Sequence, residues 1–511
     1  MNDPFFTPLT LTVGMQNRPF GYEVAYSSQY RETPERSRFV QTLFTNERDL
    51  GAMITLQPNK TSAWHIFKMN AGIFNGIAIA RKYDSKRDFI GQIMTLYNIL
   101  LNDKIMTRKL LKFLLFTLLP FYSFSQTDSI RVQSNTEKTV QIKWYDNISI
   151  RGYSQVRYNR LLETNENLGC EQCDKSWGKD GGFFIRRMRI IFYGQINKNV
   201  YFYVQPDFAS SPASDKLHFG QLRDAYFDVS VDKENEFRFR IGQSKVPFGF
   251  ENMQSSQNRI PLDRNDALNS AVSNERDLGV FFYWAPKNKR KLMSSLVSEG
   301  LKGSGDYGIF AFGAYNGQTA NNLELNNQQH IVSRITYPFE YKSQIIEVGI
   351  QGYTGKYVIP KANLSTGVKT NADLNYLDQR VATTFVLYPK PFGIQAEYNI
   401  GKGPQFNKVT DSIEVMPLQG GYVTLSYFTK IKNQFLIPFI RYQYYDGGKK
   451  HEKDARSYEV KDVELGVEWQ PNKNFELVVN YTISQRRYED FLKQDNLQSG
   501  NLLRIQAQVN F

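Results

Sequence analysis

Apolar and polar residues alternate one by one along much of the chain after residue 126, the period of a β-strand whose two faces meet different surroundings. In the last such segment Leu503, Ile505, Ala507, Val509 and Phe511 share one face, and Arg504, Gln506, Gln508 and Asn510 share the other. Val463, Leu465, Val467 and Trp469 likewise alternate with Glu464, Gly466 and Glu468, and Phe239 and Ile241 alternate with Arg238, Arg240 and Gly242. Soluble sandwiches also alternate, but they rarely keep Arg, Glu and Gln on the inner face or finish on an aromatic residue that completes a strand. A barrel with lipid outside and a wet lumen does both. Residues 195–199 and 470–474 read as tight polar reversals, and the longer intervals 163–182, 252–276 and 401–417 are expected on the opposite rim. Roughly ten residues per strand plus connections predicts an all-β fold, a transmembrane antiparallel barrel of about sixteen strands.

Composition agrees with that pattern. Across 511 residues the aromatic share is 14% although the mean hydropathy is only -0.48. A barrel reconciles the two, because only every second strand residue meets lipid and Tyr and Phe gather at the membrane interfaces. Apart from 110–122, no apolar run approaches the roughly 20 residues of a spanning helix. Lys and Arg number 63 against 50 Asp and Glu, a formal charge of +13. That excess suits nucleic acid, anionic lipid or an anion-conducting lumen, and the arginines recur singly at strand spacing, which argues against nucleic acid.

Catalytic chemistry is poorly served. None of His65, His218, His330 and His451 sits beside a serine in a nucleophile–base arrangement, and no G-x-S-x-G run occurs. No catalytic residue, metal or cofactor is therefore expected. Cys170 and Cys173 form a C-x-x-C that invites a redox or zinc reading, but no paired histidine spacing supplies further ligands. A small disulfide-closed rim loop in an oxidising compartment is the better reading.

Met106 opens a positively charged stretch, then an apolar core, then the small residues Ser123 and Ser125. This is the tripartite form of an export signal over 106–125, with cleavage expected after Ser125. Ahead of it lies an internal repeat. Pro19, Phe20, Gly21, Tyr22 and Glu23 reappear as Pro247, Phe248, Gly249, Phe250 and Glu251; Asn46, Glu47, Arg48, Asp49, Leu50 and Gly51 reappear as Asn274, Glu275, Arg276, Asp277, Leu278 and Gly279. Both keep one offset, and Phe74, Asn75 and Gly76 then answer to Tyr315, Asn316 and Gly317 after an insertion. Residues 1–93 thus read as a truncated copy of part of the barrel, a duplication remnant or fused gene model, with 94–105 as a linker and 126–511 as the complete barrel.

Several short elements, taken in order, resemble one family. They are Phe184, Ile185, Arg186, Arg187, Met188 and Arg189 followed by Tyr193 and Gly194; Arg223, Asp224, Ala225 and Tyr226; Gly242, Gln243, Lys245, Pro247, Phe248 and Gly249; and Asn274, Arg276, Asp277, Leu278 and Gly279. Over most of 126–511 the chain resembles the phosphate-selective porins O and P. The resemblance implies a homotrimer of sixteen-stranded barrels in the outer membrane, a long loop folded into the lumen, and arginines and lysines guiding small anions through the constriction.

Arg187 and Arg189 share a strand face, as do Arg238 and Arg240, so each pair is expected to point into the lumen. Arg186, Lys245, Arg259 and Arg276 complete the candidate pore lining, with Arg264 nearby. The planar guanidinium offers paired hydrogen bonds at fixed charge, and a file of weak sites permits conduction. The competing reading pairs these arginines with Asp224, Glu251 and Asp277 to hold the wall in shape. An outer-membrane passive porin for anions such as phosphate or polyphosphate is expected; a closed structural or binding barrel is the alternative.

Overall fold

The computed structural model describes residues 9–18, 48–58, 67–74, 88–95, 147–170, 182–209 and 219–511. They fall into two compact units, 1–135 and 136–511. The expected export signal at 106–125 and Cys173 lie outside the described residues, as does most of the 94–105 linker.

In the first unit β1 (Leu9–Asn17), β2 (Arg48–Leu56), β3 (Phe67–Phe74) and β4 (Asp88–Thr95) form an antiparallel sheet in sequential order. Among the described residues this sheet does not close on itself.

In the second unit the strands run β5 (Ile148–Leu161), β6 (Phe183–Gln195), β7 (Val200–Asp207), β8 (Gln221–Ser230), β9 (Phe237–Lys245), β10 (Arg276–Trp284), β11 (Phe310–Tyr315) and β12 (His330–Tyr341). They continue as β13 (Gln344–Val358), β14 (Asn375–Leu387), β15 (Phe392–Asn407), β16 (Ser412–Tyr427), β17 (Thr429–Ile431), β18 (Gln434–Gly448), β19 (Ser457–Asn472), β20 (Phe475–Glu489) and β21 (Leu497–Asn510). Each pairs antiparallel with its neighbours, and β21 returns to β5 to close the barrel. Because β16 and the short β17 both pair with β18, the barrel has sixteen staves. Closure leaves no open edge to meet lipid.

The repeat seen in the sequence has a structural counterpart. Leu9 faces Leu56 and Asn17 faces Arg48 across β1 and β2, while Phe237 faces Trp284 and Lys245 faces Arg276 across β9 and β10. The two hairpins share one register as well as one sequence pattern.

Burial is inverted relative to a soluble protein. On β18, Ile440 and Tyr442 are 42% and 49% exposed, whereas Arg441 and Gln443 between and beside them are 1% and 3% exposed. The apolar face therefore points outward, to lipid, and the charged face inward.

Three loop expectations need correction or refinement. Residues 401–417 are no long loop: β15 and β16 stay in register from Phe392↔Tyr427 to Asn407↔Ser412, leaving a tight turn at 408–411. The glycines and the polar residues of that stretch suggested a coil, but Ile413, Val415, Phe406 and Leu418 continue the pairing. Residues 246–275 turn into the lumen instead of standing on the rim. The short-turn rim, tight at 196–199, 342–343 and 473–474, is broken by residues 285–309, which carry a twelve-residue helix.

Candidate functional site

The lumen loop 246–275 leaves β9 through Val246 and Phe248, which pack with Leu268, Ala271 and Val272 of the same loop against Phe281, Tyr315, Val332 and Tyr353 of the wall. Gly249 makes the bend at φ 84°, where a Cβ would stand 2.3 Å from Leu268 Cδ2, so only glycine fits. Two short helices follow, α1 (Phe250–Met253) and α2 (Asp266–Ala271). Asn265 caps α2, its side chain accepting from the Leu268 amide at 3.1 Å.

Carboxylates of this loop grip arginines on the far wall. Arg157 Nη1 donates to Asp263 at 3.1 Å, and Arg504 reaches the same carboxylate. Arg441 bridges Glu251 of the loop at 3.1 Å and Glu464 of the wall at 2.9 Å. Arg486 Nη2 donates to Asp266 at 2.9 Å, where Lys449 also pairs. Burial raises the Asp263 carboxyl, but Arg157 and Arg504 outweigh it and hold the group well below the usual carboxylate range. Asp266 is held at about 2 by Arg486 and Lys449 against the opposing effect of burial. These wall arginines are structural: a buried charge without its partner is strongly destabilising.

On the side lined by β5 to β10 the balance changes. Glu275, at φ 70° directly after Asn274 at φ 59°, ends the loop in a conformation unusual for residues with a Cβ. Arg259 and Arg264 each lie 3.2 Å from its carboxylate, Arg276 lies 2.5 Å away and Lys245 3.9 Å. Burial would raise this carboxyl; the surrounding cations hold it far below its ordinary value. One carboxylate thus serves four cations, and Arg276 takes a second partner in Asp224 at 2.9 Å.

The expected pore arginines separate into two kinds. Arg189 pairs with Asp207 at 2.8 Å, Arg238 with Asp306 at 2.9 Å, and Arg240 with Asp228 through two nitrogens at 2.7 and 2.8 Å while lying 3.9 Å over the Tyr226 ring. For these the wall-holding reading has the geometry, though Asp207, Asp228 and Asp306 replace the partners expected from the sequence. Arg187 donates to the Gln155 amide oxygen at 2.7 Å and has no carboxylate at ion-pair distance among the described residues. Arg259, despite its approach to Glu275, leaves all three guanidinium nitrogens without a well-aligned hydrogen-bond acceptor. Arg186 is the extra residue of a bulge, since Gln155 faces Arg187 and the next residue, Val156, faces Ile185. Its charge reaches Asp263 and Arg187.

Arg223 belongs with this group and was not among the candidates. It reaches Asn274 at 3.3 and 3.4 Å and keeps Nε without an acceptor. Its place in the Arg-Asp-Ala-Tyr run was the available signal, as the doubled Asn-Glu-Arg-Asp run was for Glu275. Asp277, suggested as an arginine partner, instead accepts from the amides of Gly317 and Thr319 at 2.8 and 2.9 Å and so shapes the loop after β11. Cys170 is buried against Leu168 and Leu502 and is disulfide-bonded; Cys173, the expected partner, is outside the described residues.

The sequence model of the family described as phosphate-selective porin O and P matches residues 169–511. No curated protein matches the chain. Among solved structures, the outer membrane channel DcaP of Acinetobacter baumannii is 14% identical, over 72% of this chain and 99% of that one, with a TM-score of 0.47. The trimer form of OmpT from Vibrio cholerae is 12% identical, over 72% and 100%, with a TM-score of 0.41. The anion-selective porin from Comamonas acidovorans is 10% identical, over 71% and 99%, with a TM-score of 0.41.

Proposed function

The chain belongs to the phosphate-selective porin O and P family, and on that premise we propose that this outer-membrane porin passes small anions, phosphate and polyphosphate among them, by passive diffusion along the wall of β5 to β10. The observation that carries the reading is the cation excess there: Arg187, Arg223 and Arg259 are buried guanidinium groups whose donors the protein does not fully use. An oxyanion entering from water needs replacement donors for its hydration, and these supply them without any one site holding too tightly. Arg186, Lys245 and Arg276 add to the positive potential, tempered by Glu275 and Asp224, so the selectivity expected is moderate.

Reversal potentials for chloride, phosphate and potassium across a planar bilayer test this. Chloride and phosphate should outrun potassium; a cation-preferring pore would overturn it. The second reading, a closed structural or binding barrel, draws on the ion pairs that fasten the lumen loop across the barrel, and the absence of any conductance would favour it. We further propose that the mature protein begins near Gln126 and assembles as a homotrimer. Residues 1–93 would then be a remnant outside the mature pore. Peptide mapping of the membrane fraction tests the first point: abundant peptides from 22–81 joined to the barrel would sink it.

A further inference from the structure

The segment 285–309 joins β10 to β11 on the rim of short turns, where two residues would suffice. It is a built element. Its helix α3 (Lys287–Ser298) ends in a Schellman motif: Gly300 at φ 74° donates to Val297 O at 3.1 Å, and Leu301 donates to Leu296 O at 3.0 Å. Leu296 and Leu301 then bury against Ile345, Val386 and Tyr388 of the wall and, inside the lumen, against Phe250 of the loop from the other rim. Asp306 fastens the segment to Arg238 at 2.9 Å and to its own Arg290 at 2.7 Å.

Strand pairing does not require this segment. The offset between the two internal copies is 228 residues at Asn46 and Asn274 but 241 at Phe74 and Tyr315. The first copy therefore forms the same strand order with thirteen fewer residues in this connection.

Past the helix, Lys302 adopts φ 64°, a conformation disfavoured for any residue with a Cβ. That bend sends its ammonium into the lumen to Glu468, with Glu476 beside it, and its carbonyl accepts from Gln254 Nε2 at 2.6 Å. The two segments that enter from opposite rims thus meet at Gln254 and Lys302. Beside that junction lies a cavity of about 390 Å³, lined among others by Arg151, Gln257, Lys302, Lys473, Glu476 and Phe511, which opens on the short-turn rim. Burial would lower the Lys302 ammonium, and Glu468 with Glu476 more than offset it, keeping it charged.

We infer that residues 285–309 are a second selectivity element in series with the lumen loop, and that Lys302 sets its charge. The inference rests on the porin reading. Lys302 neutralises the buried Glu468 carboxylate behind the cavity that Lys302 and Glu476 line; without Lys302 this rim becomes more negative by one charge.

The test uses the whole barrel in planar bilayers under a salt gradient, with folding checked by the heat-dependent shift of the barrel on unboiled gels. Lys302→Gln should lower the anion-to-cation permeability ratio about sevenfold, because one unit charge at roughly 7 Å in a water-like medium shifts anion and cation about threefold each in opposite directions. Glu468→Gln with Glu476→Gln should raise it, and both should change the asymmetry of the current–voltage curve, because the element lies near one mouth only. Replacing 287–307 by Asn-Gly should increase conductance; if that variant does not assemble, the charge variants decide. Unchanged ratios in folded variants of a conducting barrel overturn this inference and leave the porin reading intact, whereas a wild-type barrel that does not conduct overturns both.

Discussion

Arg157, on the first strand of the barrel, donates to Asp263 in the middle of the lumen loop across 3.1 Å, and neither side chain is more than 6% exposed. Arg504 on the last strand shares that carboxylate, so the loop is tied to the two strands whose pairing closes the barrel. Asp263→Ala would leave two buried guanidinium groups facing each other. The expected cost is about 3–5 kcal/mol for the loop-anchored state, as for other broken buried pairs. The loop should become accessible to protease and the conductance should rise. Unaltered protection of residues 255–270 in this variant would place the anchor elsewhere.

Arg187 and Arg189 sit two residues apart on one lumen face but differ in what holds them. Arg187 has an amide for a partner, Arg189 a carboxylate in Asp207. Arg187→Ala should therefore lower anion permeability about threefold with little loss of stability, by the same estimate for one unit charge. Arg189→Ala strips Asp207 of its counter-charge and should lower the unfolding temperature as well. Reversal potentials paired with thermal unfolding separate the two; equal behaviour of both variants would contradict the assignment.

Asp266 links the loop to acid tolerance. Its carboxyl is held at about 2 in the folded protein, against an ordinary value of 3.8. A group whose folded value lies below its unfolded one stabilises fully above the unfolded value and loses that contribution as pH falls through the folded one. The Arg486 and Lys449 anchorage should accordingly weaken between about 3.8 and about 2. Acid titration of loop protection measures this, and Asp266→Asn, which cannot titrate, should flatten the response across that window.

Cys170, in the segment that follows β5, is buried against Leu168 and Leu502. A bridge to Cys173 closes so short a ring that it restricts the unfolded chain only slightly. Replacing both by serine should leave assembly and conductance nearly unchanged. Alkylation before and after reduction, read by mass spectrometry, reports the pairing, and loss of conductance in the double variant would show that the bridge does more than tether a loop.

Much of the architecture was legible because strand signals are local. Alternation at 503–511 placed Arg504 inward and Val509 outward, and the end of β21 has that pattern, with Arg504 fully buried and Val509 47% exposed. The doubled Pro-Phe-Gly and Asn-Glu-Arg-Asp runs marked a repeated hairpin, and β1 with β2 does match β9 with β10 in register. The 401–417 stretch failed because glycine and proline weaken a strand signal that hairpin pairing then overrides.

What the sequence by itself determined, then, is the barrel: a period of two, a face for lipid and a face for water, and a family-like order of arginines. Which arginines hold the wall and which face the passage was decided only by tertiary structure. Arg187 and Arg189 look alike in the chain, yet one meets Gln155 and the other Asp207. Those partners lie 32 and 18 residues away in sequence and come within reach only through strand register and a bulge at Arg186. The same holds for the two segments that fill the lumen, because Phe250, Leu296 and Leu301 read as ordinary loop and helix residues until barrel closure brings opposite rims together. Alternation is a local consequence of backbone geometry, whereas the balance of charge at a point in the lumen is a sum over residues that only the closed barrel assembles.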